Sequence, residues 1–271
     1  MTKVALTIAG SDSGGGAGIQ ADLRTFAFHC IHGTSAITCV TSQNTLGVTD
    51  VLAVSSKMVN SQLATVASDI KIDAAKTGML LNQEIIKTAA EFIHQSTIEK
   101  LVVDPVMVSR TGAQLIDDAA IASLKEQLLP LATIITPNIY EAQILAQQEI
   151  KNLAEMKQAA KKIQQQLGVK VVLLKGGGLA VEDYAEDLWF DGNQYELLTQ
   201  PRVNTKNTHG TGCTLSAAIT ANLALGMELF PSVTKAKAYV TTALQYSLDI
   251  GSGHGPVGHF FSLLRSEGGN F

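Results

Sequence analysis

The chain has 271 residues, 46% of them hydrophobic and 16% charged, with a formal net charge of -4. That length bounds the answer at one large domain or two small ones, with enough apolar material for a sizeable core. The acidic balance and the scatter of Lys and Arg argue against a nucleic-acid partner, and Cys30, Cys39 and Cys213 have the spacing of neither a disulfide framework nor a zinc site.

A reducing cytoplasm is the expected setting. The first apolar run stops at Gly10, too early for a signal peptide, and no run reaches the ~18 residues of a membrane helix. A soluble protein with no membrane partner is expected.

Short, mostly β-branched runs at residues 4–9, 35–41, 73–77, 101–104, 133–136 and 169–175 read as strands buried on both faces. Amphipathic stretches at 19–30, 57–70, 83–95, 118–128, 139–146 and 154–167 read as the helices between them. Such alternation implies right-handed crossovers and a mainly parallel sheet between helical layers, a three-layer α/β/α fold. Residues 184–190 and 194–199 flank Asp191-Gly192-Asn193 and read as a hairpin, so one edge of the sheet is expected to be antiparallel. Helices at 213–225 and 232–248 follow. No linker or repeat interrupts the chain, so a single domain over residues 1–271 is expected.

In such sheets ligands gather at the carboxyl ends of the strands. Polar residues collect there: Gly10-Ser11-Asp12-Ser13, Ser42-Gln43-Asn44-Thr45, Lys76-Thr77-Gly78-Met79, Asp104-Pro105-Val106-Met107, Thr136-Pro137-Asn138-Ile139-Tyr140-Glu141 and Lys175-Gly176-Gly177-Gly178. One rim of the sheet is therefore the expected site.

Two glycine loops precede helices. The first, Gly14-Gly15-Gly16-Ala17-Gly18, satisfies G-x-G-x-x-A through Ala21. A dinucleotide site would also need an acid about 20 residues on to hold a ribose. Strand two ends instead in Gln43 and Asn44, and no G-x-x-x-x-G-K-[ST] is present. The second loop, Asn207-Thr208-His209-Gly210-Thr211-Gly212-Cys213-Thr214, puts two glycines and a thiol where a helix begins. A helix start carries unpaired amides and partial positive charge, so it suits phosphate oxygens. The same field is expected to lower the Cys213 thiol's pKa and make it a proton acceptor. The plainer reading of these residues is a tight turn with a small buried Cys.

Taken together, residues 9–22 (Ala-Gly-Ser-Asp-Ser-Gly-Gly-Gly-Ala-Gly-Ile-Gln-Ala-Asp) resemble the start of hydroxymethylpyrimidine/phosphomethylpyrimidine kinases, of the ribokinase-like superfamily. Thr38-Cys39-Val40-Thr41-Ser42-Gln43-Asn44-Thr45, Lys76-Thr77-Gly78-Met79, Asp104-Pro105-Val106-Met107, Thr136-Pro137-Asn138, Glu141 and the turn at Cys213 match in the same order, from about residue 6 to 260. The resemblance implies a cytoplasmic, Mg²⁺-dependent homodimer. It would transfer the ATP γ-phosphoryl to 4-amino-5-hydroxymethyl-2-methylpyrimidine and then phosphorylate the monophosphate, for thiamine diphosphate synthesis.

By the same resemblance, Gly210, Thr211, Gly212 and Cys213 receive the transferring phosphoryl, and Cys213 stands where the wider superfamily carries an Asp base. Gln43 has a carboxamide whose donor and acceptor match an aminopyrimidine edge. Asp22 would hold the substrate amine or hydroxyl, or else cap or face solvent on its helix. Gly10, Met79 and Val106 would line the substrate, although core packing is the ordinary role of the last two. Asp104 and Glu141 would stand near Mg²⁺. Asn138, Lys175, Thr208 and Thr211 would meet ATP, and His209 reads as a structural turn residue. One departure is Gly178, where the family often has His. A pyridoxal or pyridoxine kinase of the same superfamily is the nearest alternative, and a non-catalytic nucleotide-binding regulator is one of another class.

Overall fold

The computed structural model describes residues 1–108, 114–179 and 183–266. Ser109-Arg110-Thr111-Gly112, to which the sequence assigns no role, lies outside the described residues.

Nine strands make one sheet: β1 (Val4–Asp12), β2 (His32–Gln43), β3 (Val48–Ala53), β4 (Ala74–Thr77), β5 (Leu101–Val103), β6 (Ile134–Ile135), β7 (Val172–Lys175), β8 (Tyr184–Phe190) and β9 (Tyr195–Pro201). Their order is β3-β2-β1-β4-β5-β6-β7-β8-β9. Strands β2, β1, β4, β5, β6 and β7 run parallel in that order. The expected hairpin is β8–β9, antiparallel to each other and to β7. The opposite edge is antiparallel as well, because β3 turns back on β2. The sequence conceals this strand. All six of its residues are exposed, so no alternation of buried and exposed side chains marks it.

Helices α1 (Gly18–Phe28), α7 (Thr211–Ala224) and α8 (Leu229–Gln245) cover one face. Helices α2 (Ser56–Asp69), α3 (Gln83–Gln95), α4 (Asp118–Ser123), α5 (Ile139–Ala146) and α6 (Leu153–Leu167) cover the other. The expected helix at 118–128 is α4 followed by a π-helical stretch, Leu124–Leu128. A short α9 (Phe261–Ser266) was not expected. Adjacent strand residues feed opposite cores, as the two-residue strand period requires: Leu6, Ala75, Val103 and Ile135 face α2–α6, while Ala5, Ala74, Val102 and Ile134 face α1, α7 and α8.

α7 positions the site. Every residue from Thr214 to Ala224 is buried, and the helix wedges between α1 and α8 over β1, β4 and β5. Small side chains allow that close seat. Its polar ones turn back on the helix: Thr214 Oγ1 donates to the Gly210 carbonyl at 2.8 Å and Thr220 Oγ1 to that of Ser216 at 2.8 Å. Ile219 is fully buried, which contributes about 1.5–3 kcal/mol. The start of α7 is thereby held at the carboxyl ends of the central strands.

Candidate active site

Gly210 is the N-cap of α7, in the left-handed region at φ 81°. A Cβ there would fall 1.9 Å from the Gly16 carbonyl oxygen, so only glycine fits, and the two loops touch at this point. The Thr211 amide and hydroxyl both donate to the Thr208 carbonyl, at 3.3 and 2.6 Å. The Thr211 hydroxyl, expected on a phosphate chain, thus closes the turn. The amides of Gly212 and Cys213 take part in no hydrogen bond among the described residues. Open amides at a helix start make a cradle for an anion.

Beneath Gly212 lies a charge cluster. A Cβ on that glycine would stand 3.3 Å from Lys175 Nζ and 3.6 Å from Asp104 Oδ2. Lys175 Nζ donates to Asp104 Oδ1 at 2.9 Å, and Thr136 Oγ1 reaches the same oxygen at 3.2 Å. Burial pulls the Lys175 ammonium down, but Asp104 and Glu141 outweigh it and hold the amine above its ordinary range. Asn138 and Glu141 form a capping box on α5: the Asn138 amide donates to Glu141 Oε2 at 2.7 Å and the Glu141 amide to Asn138 Oδ1 at 2.9 Å. Burial pushes the Glu141 carboxyl up to about 7, with Lys175 opposing and Asp104 adding to the rise. A second cation would relieve these two carboxylates. Among the described residues no group of three His, Cys, Asp or Glu could hold a metal. Mg²⁺ commonly takes one or two carboxylates with water and phosphate oxygens, a pattern that Asp104 and Glu141 fit.

The thiol departs from expectation. Cys213 is half-buried, and its pKa is pushed up to about 11 rather than down. Burial is the largest cause. Lys76 draws it down, Asp22 and Asp104 add to the rise, and the Gly18 amide at the start of α1 draws it down again. Loss of water around the sulfur, with two carboxylates nearby, outweighs the helix field.

Asp22 is also corrected. Its carboxylate is fully buried on the sheet-facing side of α1, where Lys76 Nζ donates to both oxygens at 2.9 and 3.0 Å and Thr7 Oγ1 to Oδ2 at 2.7 Å. A ligand would have to break that pair to reach it. Lys76, which the sequence reading quotes in a motif but gives no role, is fully buried too. Its signal was available: a lysine inside the short run 73–77, read as a strand buried on both faces, has no open face to turn to. Buried amines need a partner.

Gly10 and Met79, expected to line the substrate, meet on the rim. A Cβ on Gly10 would come 2.6 Å from Cys39 Sγ and 3.1 Å from Met79 Cε, so the glycine leaves room for half-buried Met79. The Met79 carbonyl accepts from Thr38 Oγ1 at 2.7 Å. Val106 is half-buried at the exit of β5, its amide donating to the Asp104 carbonyl at 2.9 Å. The Gln43 carboxamide lies 3.3 Å from His209 Nε2 and 3.1 Å from Thr41 Oγ1. Asp12 organises the first loop. Its carboxylate accepts from the amides of Gly14, Gly16 and Ala17 at 2.9, 3.0 and 2.8 Å and faces His209 Nε2 at 2.9 Å. His209, expected as a structural turn residue, links the two loops beside Gln43. At the far end, Asp187 fixes the exit of β7, accepting from the Gly176 amide at 3.0 Å and from Lys237 Nζ at 2.7 Å.

Comparison with known proteins places the chain in a family. A family model described as phosphomethylpyrimidine kinase matches residues 12–258. A hydroxymethylpyrimidine/phosphomethylpyrimidine kinase of Synechococcus elongatus is 57% identical, covering 96% of this chain and 98% of its own. Among solved structures, an ADP complex of Bacillus subtilis pyridoxal kinase superposes with a TM-score of 0.90 at 41% identity, over 98% of this chain and 99% of that one. A phosphomethylpyrimidine kinase from Clostridium difficile gives 0.80 at 43% identity, over 90% and 100%.

Proposed function

The chain belongs to the phosphomethylpyrimidine kinase family, and from that premise we propose that it acts as one kinase domain which phosphorylates 4-amino-5-hydroxymethyl-2-methylpyrimidine with ATP. The same site then phosphorylates the monophosphate to the diphosphate, for thiamine diphosphate synthesis. The observation that carries the assignment of roles is the open start of α7, where the Gly212 and Cys213 amides stand over the Lys175–Asp104 pair. A phosphoryl group needs positioning and charge neutralisation above all, and this is the place where unpaired donors and a lysine meet.

In this reading the hydroxymethyl oxygen attacks the γ-phosphorus. The new O–P bond forms as the bond to the β–γ bridging oxygen breaks, and ADP leaves with that electron pair. The hydroxyl proton passes to the Cys213 sulfur. The sulfur can take it only as a thiolate, a form that burial opposes most and Asp22 and Asp104 oppose further, while Lys76 and the Gly18 amide favour it. In the second step the acceptor is a phosphate oxygen already anionic near pH 7, so the thiol matters less. Gln43 pairs with the aminopyrimidine edge, and Gly10, Met79 and Val106 line the ring. Lys175, with Asn138, Thr208 and Thr211, contacts ATP. Mg²⁺, held by Asp104 and Glu141, would neutralise phosphate charge.

The exposed apolar side chains at the β3 edge, Leu46 (73% exposed) and Leu52 (72%) with Val40, Val48 and Val51, support a homodimer that covers them. No helix among the described residues is long and apolar enough to cross a membrane, and a cytoplasmic setting is proposed.

A coupled ADP-release assay tests the substrate. ADP release with the aminopyrimidine and with its monophosphate is expected. Release with pyridoxine alone would replace the reading by the pyridoxine kinase one, and none with any acceptor would leave a nucleotide-binding regulator.

A further inference from the structure

After α8, residues 251–259 form a strap along two elements of the site. On one side the Gly253 amide donates to Thr45 Oγ1 at 3.2 Å and the His254 amide to the Thr45 carbonyl at 2.9 Å, two residues from Gln43. On the other, the His209 amide donates to the Gly255 carbonyl at 3.0 Å and the Val257 amide to the His209 carbonyl at 3.2 Å, a parallel bridge between His209 and Pro256. The Gly255 amide also donates to Asn207 Oδ1 at 3.0 Å. Glycines permit this contact. A Cβ on Gly253, Gly255 or Gly258 would lie 2.1, 2.0 or 1.9 Å from a backbone oxygen of Thr45, Leu248 or Tyr246.

The strap ends at His259, which is buried. Its Nε2 stands 2.9 Å from Thr214 Oγ1, and that hydroxyl lies 2.8 Å from the Gly210 carbonyl. Tyr239 Oη donates to the His259 carbonyl at 3.1 Å and pins the residue from behind. Burial, with Arg24 nearby, pushes the ring down to about 4. The imidazole is thus neutral at neutral pH, and because the Thr214 hydroxyl gives its one proton to the Gly210 carbonyl, the ring meets that hydroxyl with Nε2 as the N–H donor.

We propose that His259 is a positioning residue for phosphoryl transfer: through the Thr214 hydroxyl it fixes the first turn of α7, and so the direction in which the Gly212 and Cys213 amides point. This rests on the proposed role of that turn as the phosphoryl cradle. Thr214 follows Cys213 directly and bonds Gly210, the left-handed residue that sets the turn. A cradle works only when its donors stand ready where charge develops. A turn free to tilt loses that readiness in the transition state more than in ground-state binding, so the effect belongs in kcat.

The test is steady-state kinetics on His259→Phe, His259→Gln, Thr214→Val and the His259→Phe/Thr214→Val double variant, each with a melting curve. Losing one such donor outright costs about 10²–10³ in kcat, and a tilted one less. His259→Phe is therefore expected to lower kcat about tenfold with both KM values within about twofold. His259→Gln, whose carboxamide replaces the ring nitrogen, should recover most of that loss. Thr214→Val should match His259→Phe, and the double variant should lose no more than either, as two halves of one contact. A folded His259→Phe with wild-type kcat, a glutamine that rescues nothing, or losses that multiply in the double would each overturn the inference. If His259→Phe does not fold, Thr214→Val decides alone: lowered kcat supports it, unchanged kcat ends it. Gly212→Ala, run in parallel, separates this from the underlying reading. Full activity there removes the cradle itself, whereas loss there with an active His259→Phe removes only the latch.

Discussion

Two glycine loops in this molecule open onto helix starts, contain left-handed glycines and touch each other, yet only one keeps its amides open. In the first, Asp12 lies at the end of β1 and its carboxylate already occupies the amides of Gly14, Gly16 and Ala17. In the second, the nearest carboxylate, Asp104, is turned to Lys175, and the Gly212 and Cys213 amides remain open. A glycine-rich helix start is therefore not a phosphate site by sequence pattern alone. What decides is whether the chain supplies its own anion.

The largest expected effect comes from the chemistry at the open loop. Cys213→Ala should lower kcat on the alcohol by about 10²-fold or more, the scale of a lost general base, while KM for ATP holds and the monophosphate step suffers less. Equal, small losses on both acceptors would make the thiol a packing group.

Next is the ion pair beneath that loop. Lys76→Met leaves the fully buried Asp22 carboxylate without its amine, so it should cost about 3–5 kcal/mol in urea unfolding. A change under 1 kcal/mol would mean that water reaches the pair.

A carboxylate can also be given to the second loop. Thr211→Asp should raise KM for ATP about tenfold or more, since two like charges at contact cost about 1 kcal/mol in bulk water and about 4 kcal/mol near a protein surface. An unchanged KM would place the triphosphate elsewhere.

The smallest effect is on the first loop. Burial pushes Asp12 up, but His209 and the loop amides outweigh it and hold the carboxyl below its ordinary range. A carboxyl lowered on folding stabilises above its unfolded value and loses that contribution as pH falls through the folded one. Asp12→Asn should therefore melt roughly 2–5 °C lower at pH 7, the gap closing toward pH 3, with KM for ATP within about twofold. A gap independent of pH would remove the charge from the account.

Much of this was legible in the chain. The parallel core strands, the β8–β9 hairpin and the rim of polar strand ends follow from apolar runs and turn residues. Strand β3 was not, because none of its six residues is buried. At the site, sequence order brought Gly212, Cys213, Asp104 and Lys175 to one place. It misplaced Asp22, since an acid four residues into a helix gives no sign of which face it takes. It misjudged the thiol, because a helix start is local whereas desolvation and the charges of Asp22 and Asp104 come from distant segments. Lys76 was given no role although its burial was written in the strand that contains it.

The most direct test of the contrast between the loops is a crystal structure with a non-hydrolysable ATP analogue. The terminal phosphoryl is expected on the Gly212 and Cys213 amides beside Lys175, with Asp12 still bonded to its own loop. A triphosphate seated on Gly14, Gly16 and Ala17, with the Asp12 carboxylate displaced, would contradict the account.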